Sequence, residues 1–318
     1  MSKFTAKVEV PIISLHDFDD RRDEILEQLM SASKEIGFLY AAAEDIRSAF
    51  ALSQAFFGLP AATKAKTAHN GKNMGWETNA QVRPSTGTAD QKESMQLQFA
   101  RMEGIWPSDS DIPGFRKQAE KFMLQVQKLS VKLMACFADG LGLPTDIFEE
   151  GTVDPGVGDS QTTLRLLHYH PTQGKDFGPN FWRAGAHTDF DVLTLLFQRA
   201  GEAGLEVCPG RGAVGDFAVG STWTPVPARE DIIVCNIGDQ LMRWSDDVLK
   251  SNFHRVKLPG PGDSQGPRYS LAFFNQARSD TKIQGPLMKY PEITGAQFIA
   301  EAMARNKLVP QATAVPTA

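Results

Sequence analysis

The sequence predicts an α+β fold in which a helical N-terminal half wraps onto an all-β C-terminal half. Beyond about residue 155, short apolar runs alternate with turns rich in Gly, Pro and Asp, which is typical of a sandwich or barrel. In the first half, apolar residues recur at helical spacing over several segments. The sequence shows no repeat of the length used by solenoids or propellers, which excludes those architectures.

The composition is that of an ordinary soluble globular protein. Hydrophobic residues make up 42% of the 318 residues, and the formal net charge of −5 argues against a surface built for nucleic acid. No apolar stretch is long enough to cross a membrane, and the N-terminal residues lack the apolar region of a secretory signal. Three cysteines without CxxC spacing indicate neither a disulfide framework nor an all-cysteine metal site. We therefore expect a cytoplasmic enzyme without nucleic-acid or membrane partners.

In the N-terminal half, strands and helices are predicted to alternate. The predicted elements are a strand at 8–15, a helix at 21–37, a strand at 37–42, a helix at 45–58 and an irregular segment at 67–88. The clearest helix follows at 114–140, where Phe115, Phe122 and Phe137 belong to a broad apolar stripe. Gly140 is a natural C-terminal stop for this helix.

The C-terminal half is predicted to consist mainly of short strands. These strands are TTLRLLHYH, DVLTLLFQ, GLEVCP, STWTPVP, DIIVCNIG, FHRVKL and RYSLAFF. We expect three regions: a mixed N-terminal region at 8–150, a β core at 155–280, and a C-terminal helix and tail at 281–318.

A histidine and an aspartate in the segment AHTD are candidates for a metal site. Successive side chains of a strand alternate between its faces, so His187 and Asp189 point the same way. Two histidines and one carboxylate with open coordination positions form the arrangement used by non-haem Fe(II) oxygenases. The remaining histidines, from which the third ligand would come, are His16, His69, His168, His170 and His254.

A second pattern, RYS, follows the last of these histidines. Alternation places Arg268 and Ser270 on one face of a strand. A guanidinium beside a hydroxyl is a suitable receptor for a carboxylate, because it forms charge-assisted hydrogen bonds. The triplet is common by itself, but the ordered set of HxD, a distal His and RxS is far more specific.

With these residues in place, the sequence resembles the iron(II)/2-oxoglutarate-dependent dioxygenases, in the branch typified by isopenicillin N synthase. The similarity is dense from about Leu164 to Arg278 and looser in the N-terminal half, where VPIISL, GFLY and AFFGLPAATK match. The dense matches are RLLHYHP at 165–171, GAHTDFDVLTLLFQ at 185–198, GLEV at 204–207, IVCNIGDQLMRWSDDVLKSNFHRV at 233–256 and RYSLAFF at 268–274.

The resemblance implies a double-stranded β-helix, or jelly roll, for the β core. It implies His187, Asp189 and His254 as iron ligands, with Arg268 and Ser270 holding the distal carboxylate of 2-oxoglutarate. The implied reactants are Fe(II), 2-oxoglutarate and O2. The implied reaction oxidises an unactivated C–H bond by hydroxylation, desaturation or ring rearrangement, and it releases succinate and CO2.

The sequence departs from the family pattern at two informative places. Where many plant members have Asn-Tyr-Tyr-Pro, this chain has His168-Tyr169-His170-Pro171, so the roles of both histidines stay open. The Gly-rich stretch at 208–221 is longer than usual, and whether it covers the site also stays open. It contains a GxGxxG match at 210–215, but no strand and helix flank it as a dinucleotide site requires.

The expected substrate is a small, partly apolar secondary metabolite with an acidic or polar handle. The candidate substrate contacts are Arg183, Phe190, Phe274 and His170, with Trp182 as a further aromatic wall. Two alternatives remain: a 2-oxoglutarate-independent Fe(II) oxidase of the same family, and a non-catalytic sandwich that binds small molecules. We expect a monomer or a weak homo-oligomer.

Overall fold

Two sheets that face each other form the centre of the computed structural model of the protein. The structure describes residues 10–35, 38–42, 46–71, 73–82, 87–152, 160–178, 181–208, 223–229 and 232–305. The strands are β1 (Ile12–Ile13), β2 (Phe38–Ala42), β3 (Gly75–Thr78), β4 (Lys92–Leu97), β5 (Thr163–Tyr169), β6 (Ala184–His187), β7 (Leu193–Gln198), β8 (Leu205–Cys208), β9 (Thr224–Pro225), β10 (Ile232–Ile237), β11 (Phe253–Val256), β12 (Arg268–Asn275), β13 (Lys282–Ile283) and β14 (Ile293–Thr294).

The helices surround these sheets. They are α1 (Arg22–Glu35), α2 (Arg47–Phe57), α3 (Ala61–Lys64), α4 (Phe115–Gly140), α5 (Ile147–Gly151), α6 (Asp239–Trp244) and α7 (Gly295–Arg305), with short 3₁₀ turns at Ala65–Thr67 and Phe99–Arg101. Within the described ranges, no helix is long and apolar enough to cross a lipid bilayer.

The large sheet has the strand order β1-β2-β10-β7-β12-β5-β4-β3, and the small sheet has the order β6-β11-β8-β9. Except for the β1–β2 pair, the pairings in both sheets are antiparallel. The predicted jelly-roll core is confirmed. The strands predicted at 8–15 and 37–42 correspond to β1 and β2 at one edge of the large sheet, whereas β3 and β4, which form the other edge, were not predicted.

The outer face of the large sheet is covered by α4. Leu195 and Phe197 of β7 and Leu271 and Phe273 of β12 alternate onto this face and belong to the main apolar core. Phe122 of α4 meets Phe197 edge to face, with 5.2 Å between ring centroids. The broad apolar stripe predicted for this helix is therefore the surface that it buries.

The inner face of the large sheet packs on the small sheet. Leu167 of β5 and Ala272 of β12 join Leu205, Val207 and Val256 of the small sheet in a second apolar cluster. This cluster is small, because much of the inner face carries polar side chains. The candidate site lies between the two sheets for that reason.

Strand β4 shows why one element is absent from the sequence-based prediction. Its sequence KESMQL lacks a clear alternation of apolar and polar residues, yet all six residues are buried. The polar ones have partners that are distant in sequence or outside the strand, such as Lys64 for Glu93 (2.7 Å) and Asp90 for Lys92 (2.8 Å). Pairing of this kind permits buried charge, but it leaves no local pattern in the sequence.

Candidate metal centre

Strands β6 and β11 bring two histidines next to each other in the small sheet. His187 ends β6 and pairs in register with His254 of β11, and their ring centroids are 4.3 Å apart. Asp189 follows β6, and its Oδ1 atom lies 3.9 Å from His187 Nε2 and 3.6 Å from His254 Nε2. Of the five remaining histidines, the structure thus selects His254 to meet the HxD pair.

Asp189 is held by hydrogen bonds to its second oxygen. Asp189 Oδ2 accepts hydrogen bonds from Thr194 Oγ1 (2.7 Å) and Asn236 Nδ2 (2.9 Å). These donors come from β7 and β10, where Asn236 and Thr194 are register partners. Because Oδ2 is engaged, the carboxylate turns Oδ1 toward the two imidazoles. Thr194 and Asn236 are each a polar residue within an apolar run, LTLL and IVCNI. This pattern in the sequence could have identified them as functional residues.

A second carboxylate, Asp191, lies beside this arrangement. Thr194 Oγ1 is 2.8 Å from Asp191 Oδ2, so one hydroxyl lies within hydrogen-bond distance of two carboxylates. Burial, and next the charge of Asp189, raise the pKa of Asp191 well above its usual value. This shift favours the neutral form of Asp191, the carboxyl group next to Asp189.

Hydrogen bonds at the other ring nitrogens orient the imidazoles. His187 Nδ1 lies 2.7 Å from the carbonyl oxygen of Gly185, and His254 Nδ1 lies 3.5 Å from that of Asn252. A carbonyl oxygen only accepts, so each Nδ1 is the donor in its contact, and each Nε2 is the ring nitrogen that faces Asp189. This is the usual arrangement of a metal-binding histidine and its outer partner.

The donor set fits a ferrous ion. Two imidazole nitrogens and one carboxylate oxygen lie within 4.8 Å of one another. This is the two-histidine, one-carboxylate set that leaves coordination positions open for other ligands. The open side faces a cavity of about 370 Å³, a volume in the range of small-molecule sites. His187, Asp189, Phe190 and Phe274 are among the residues that line this triad cavity.

The predicted carboxylate receptor lies at the end of β12 and is deeply buried. Arg268 is 1% exposed, and it donates to Gln198 Oε1 (2.9 Å), Ser270 Oγ (3.4 Å) and the carbonyl oxygen of Glu202 (2.9 Å). Its guanidinium lies over the ring of Tyr169, 4.7 Å from the centroid. Arg268 and Ser270 are therefore together on the inner face, where alternation placed them.

Electrostatics at Arg268 favour an anion. Burial raises the pKa of the Tyr169 phenol, but the charges of Arg268 and Lys92 and a hydrogen bond with Ser270 outweigh it, so the pKa is lowered overall. Burial, and then the neighbouring charge of Arg268, lower the pKa of Arg183. Two buried guanidiniums beside each other create the positive potential that a dicarboxylate such as 2-oxoglutarate requires.

Arg183 lies elsewhere than the sequence suggested. It is not a solvated loop residue, because only 2% of it is exposed, and it donates to the carbonyl oxygen of Gly266 (2.7 Å). It lines a separate cavity of about 130 Å³ together with Arg268, not the triad cavity. The predicted contact with a substrate beside the metal finds no support in this position. Trp182 is also absent from the triad cavity and lies under Arg255 instead.

His168 and His170 form a separate cluster with Glu93. His168 Nδ1 lies 2.8 Å from Glu93 Oε1, and Glu93 Oε2 accepts from Lys64 Nζ (2.7 Å) and Trp76 Nε1 (2.8 Å). His168 also stacks on the ring of Tyr269 at 4.6 Å. His170 is not among the residues lining the triad cavity, so the structure separates it from the metal centre. The segment 208–221, except Cys208, lies outside the described residues, and so does its GxGxxG match.

Two family models match the sequence and together span most of it. The model described as the 2OG-Fe(II) oxygenase superfamily matches residues 160–277. The model described as the non-haem dioxygenase in morphine synthesis N-terminal region matches residues 10–112. The first match contains all three residues of the triad and both residues of the carboxylate receptor.

Curated proteins and solved structures agree with these family matches. The chain is 30% identical to the 2-oxoglutarate-dependent dioxygenase caaD of Aspergillus niger, over 81% of this chain and 82% of that protein. It is 32% identical to the proline hydroxylase buaE of Petromyces alliaceus, over 85% of this chain and 86% of that protein. A full-length Neurospora crassa protein solved with alpha-KG and thymine superposes with a TM-score of 0.79 and 27% identity, covering 95% of this chain and 98% of that one.

Proposed function

The chain belongs to the 2OG-Fe(II) oxygenase superfamily and is a 2-oxoglutarate-dependent dioxygenase, and we propose that His187, Asp189 and His254 hold its iron. The observation that carries this assignment is the position of Asp189 Oδ1, which faces both Nε2 atoms while Oδ2 is engaged by other donors. Arg268 and Ser270 are the proposed receptor for the distal carboxylate of 2-oxoglutarate.

Iron(II), 2-oxoglutarate and O2 supply, when bound, the oxidative decarboxylation that drives oxidation of a substrate C–H bond. The residues of the chain set the conditions for this chemistry. Thr194 and Asn236 hold Asp189 in one orientation, so the three ligand atoms stay on one side. The other side faces the triad cavity, where a substrate is oriented and water is excluded.

We assign Arg183 to the co-substrate side. It is buried beside Arg268, and its Nε atom has no hydrogen-bond partner among the residues that the structure describes. A carboxylate next to two buried guanidiniums relieves their mutual repulsion and satisfies the remaining donors. Arg183 therefore strengthens binding of 2-oxoglutarate, where the sequence alone suggested a substrate contact.

The substrate is a small, partly apolar molecule that carries a polar or acidic handle and is oxidised at carbon. Aromatic Phe190 and Phe274 form the apolar part of the triad cavity, and Arg101 and Arg165 lie among its polar residues. Among the solved relatives, the Neurospora crassa protein binds thymine, a molecule of suitable size for such a cavity. Arg101 and Arg165 therefore replace Arg183 as the candidates to bind an acidic handle of the substrate.

Succinate release tests the proposed function. The protein is supplied with Fe(II), 2-oxoglutarate and O2, and succinate is quantified with and without a panel of candidate substrates. We expect succinate to form in proportion to oxidised product and to be lost in Asp189→Ala. Product formation without succinate would contradict 2-oxoglutarate dependence and would favour the oxidase alternative, which the curated relatives do not support.

A further inference from the structure

Three glutamines on the wall of the triad cavity carry buried amide atoms without a hydrogen-bond partner among the described residues. The atoms are Oε1 of Gln98, Nε2 of Gln161 and Oε1 of Gln276. The three residues come from separate parts of the chain, next to β4, β5 and β12. Buried polar atoms in folded proteins almost always have a hydrogen-bond partner. A ligand that fills this cavity can supply the complementary donors and acceptors for these amides.

The orientation of the Gln98 amide follows from its neighbours. Gln98 Nε2 lies 2.8 Å from Thr163 Oγ1, and the Thr163 hydroxyl is 3.0 Å from the carbonyl oxygen of Gln161. That carbonyl only accepts, so the Thr163 proton is used there and Thr163 Oγ1 accepts from Gln98. The carbonyl oxygen of Asn73, 3.4 Å from Gln98 Nε2, requires the same orientation. Gln98 Oε1 is therefore a committed acceptor on the cavity wall, and it needs a donor from the ligand.

We propose that the substrate is a small cyclic amide or imide whose N–H and C=O groups are bound by Gln98, Gln161 and Gln276. This inference rests on the proposed function, because it takes the triad cavity as the substrate site. The N–H group donates to Gln98 Oε1 or Gln276 Oε1, and the carbonyl oxygen accepts from Gln161 Nε2. A flat ring also fits against the aromatic side chains Phe190 and Phe274 in the same cavity.

Two other ligand classes match this wall less well. A simple carboxylate offers acceptors only, so it pairs with Arg101 or Arg165 but places negative charge opposite the committed acceptor of Gln98. A hydrocarbon leaves all three amide atoms buried without partners, which lowers affinity. A cyclic amide presents a donor and an acceptor on adjacent atoms, which is the combination that these side chains lack.

Calorimetric titration tests the proposal without turnover. The protein is loaded with Fe(II) and 2-oxoglutarate under argon and titrated with small cyclic amides and imides, including uracil. Each compound is paired with its N-methylated form, and benzoate represents the simple carboxylates. We expect N–H compounds to bind at least about tenfold more tightly than their N-methyl partners, the effect of one lost hydrogen bond in a buried site.

Two variants locate the effect. Gln98→Leu removes the committed acceptor and is expected to abolish the preference for N–H over N-methyl compounds. Gln127→Leu is the matched control, because Gln127 is a buried glutamine of α4 whose Oε1 also lacks a partner among the described residues but lies outside the triad cavity. It is expected to bind both forms as the wild type does.

Several outcomes overturn the proposal. Equal binding of the paired compounds, tighter binding of benzoate than of every amide, or an unchanged preference in Gln98→Leu each contradicts it. Binding of 2-oxoglutarate is measured in the same samples before the amides are added. If 2-oxoglutarate binds normally and the amides show no preference, the substrate class is wrong and the proposed function stands. If 2-oxoglutarate does not bind, the proposed function itself fails.

Discussion

The two faces of the large sheet differ in chemistry although the same strands form both. On β12, Leu271 and Phe273 point outward and are fully buried under the helices. Arg268 and Ser270 of the same strand point inward and are buried just as deeply, but among polar partners. The outer face obtains its stability from apolar burial and shape. The inner face holds charges and amides that require partners.

The two faces place residues that stabilise the fold and residues that bind ligands on opposite sides of the same strands. Alternation along a strand lets neighbouring residues serve opposite purposes, because one residue faces helix α4 and the next faces the ligand sites. The outer face is largely apolar and its polar residues pair within the protein, as Asn275 does with Ser130 of α4, whereas the inner face carries the groups assigned to ligands. Substitutions on the two faces are therefore expected to change different measured quantities.

The largest expected effect is on activity, at the metal centre between the two sheets. His187→Ala, Asp189→Ala or His254→Ala leaves two protein ligands, too few to hold iron in the required geometry. We expect each variant to lose detectable succinate formation, while its circular dichroism spectrum and unfolding midpoint stay near those of the wild type. Near-normal activity in any of the three would refute the metal assignment. If these variants also failed to fold, the residues of the metal centre would contribute to stability as those of the outer face do.

On the outer face, Phe273→Ala is expected to destabilise the protein by about 3–5 kcal/mol, the usual cost of emptying a core phenylalanine site. The free energy of unfolding is measured in urea, and the apparent constant for 2-oxoglutarate is measured on the folded fraction. That constant is expected to stay unchanged, although Phe273 belongs to the same strand as Arg268. If the alanine variant does not fold, Phe273→Leu replaces it in this test, and a smaller decrease in the free energy of unfolding is expected.

Arg268→Leu tests the inner face of the same strand. It removes a charge-assisted contact to a buried carboxylate, at a cost of about 2–5 kcal/mol. We expect the apparent constant for 2-oxoglutarate to rise by about tenfold to a thousandfold. Steady-state kinetics at varied 2-oxoglutarate measures this constant. If it does not change, Arg268 serves the fold or the substrate, and the co-substrate assignment of this end of β12 is wrong.

The smallest expected effect is at Arg183. Arg183→Met is expected to raise the apparent constant for 2-oxoglutarate by about tenfold and to leave that for the substrate unchanged. Arg116→Met, on the exposed side of α4, is the matched control and is expected to change neither constant. A rise in the substrate constant alone would restore the sequence-based expectation that Arg183 contacts the substrate.

Much of the site is predictable from sequence because its main elements are local. Alternation predicted that His187 and Asp189 lie together, and they do although β6 ends at His187. Arg268 and Ser270 share a face within β12. The family resemblance adds His254 and the order of the motifs, and the fold and the reaction class follow from it. The long helix α4 was equally predictable, because its apolar stripe repeats within one continuous segment.

Only the tertiary structure decided which distant polar groups meet. Glu93 and His168 are register partners in neighbouring strands, and Arg183 lies beside Arg268 although a long stretch of chain separates them. Gln98 and Gln276 line one cavity because β4, β5 and β12 are adjacent in the large sheet. Local periodicity shows which face a side chain occupies, but strand order and register determine its partners. That is why the sequence determined the iron chemistry of this protein, while its substrate wall and the position of Arg183 emerged only from the fold.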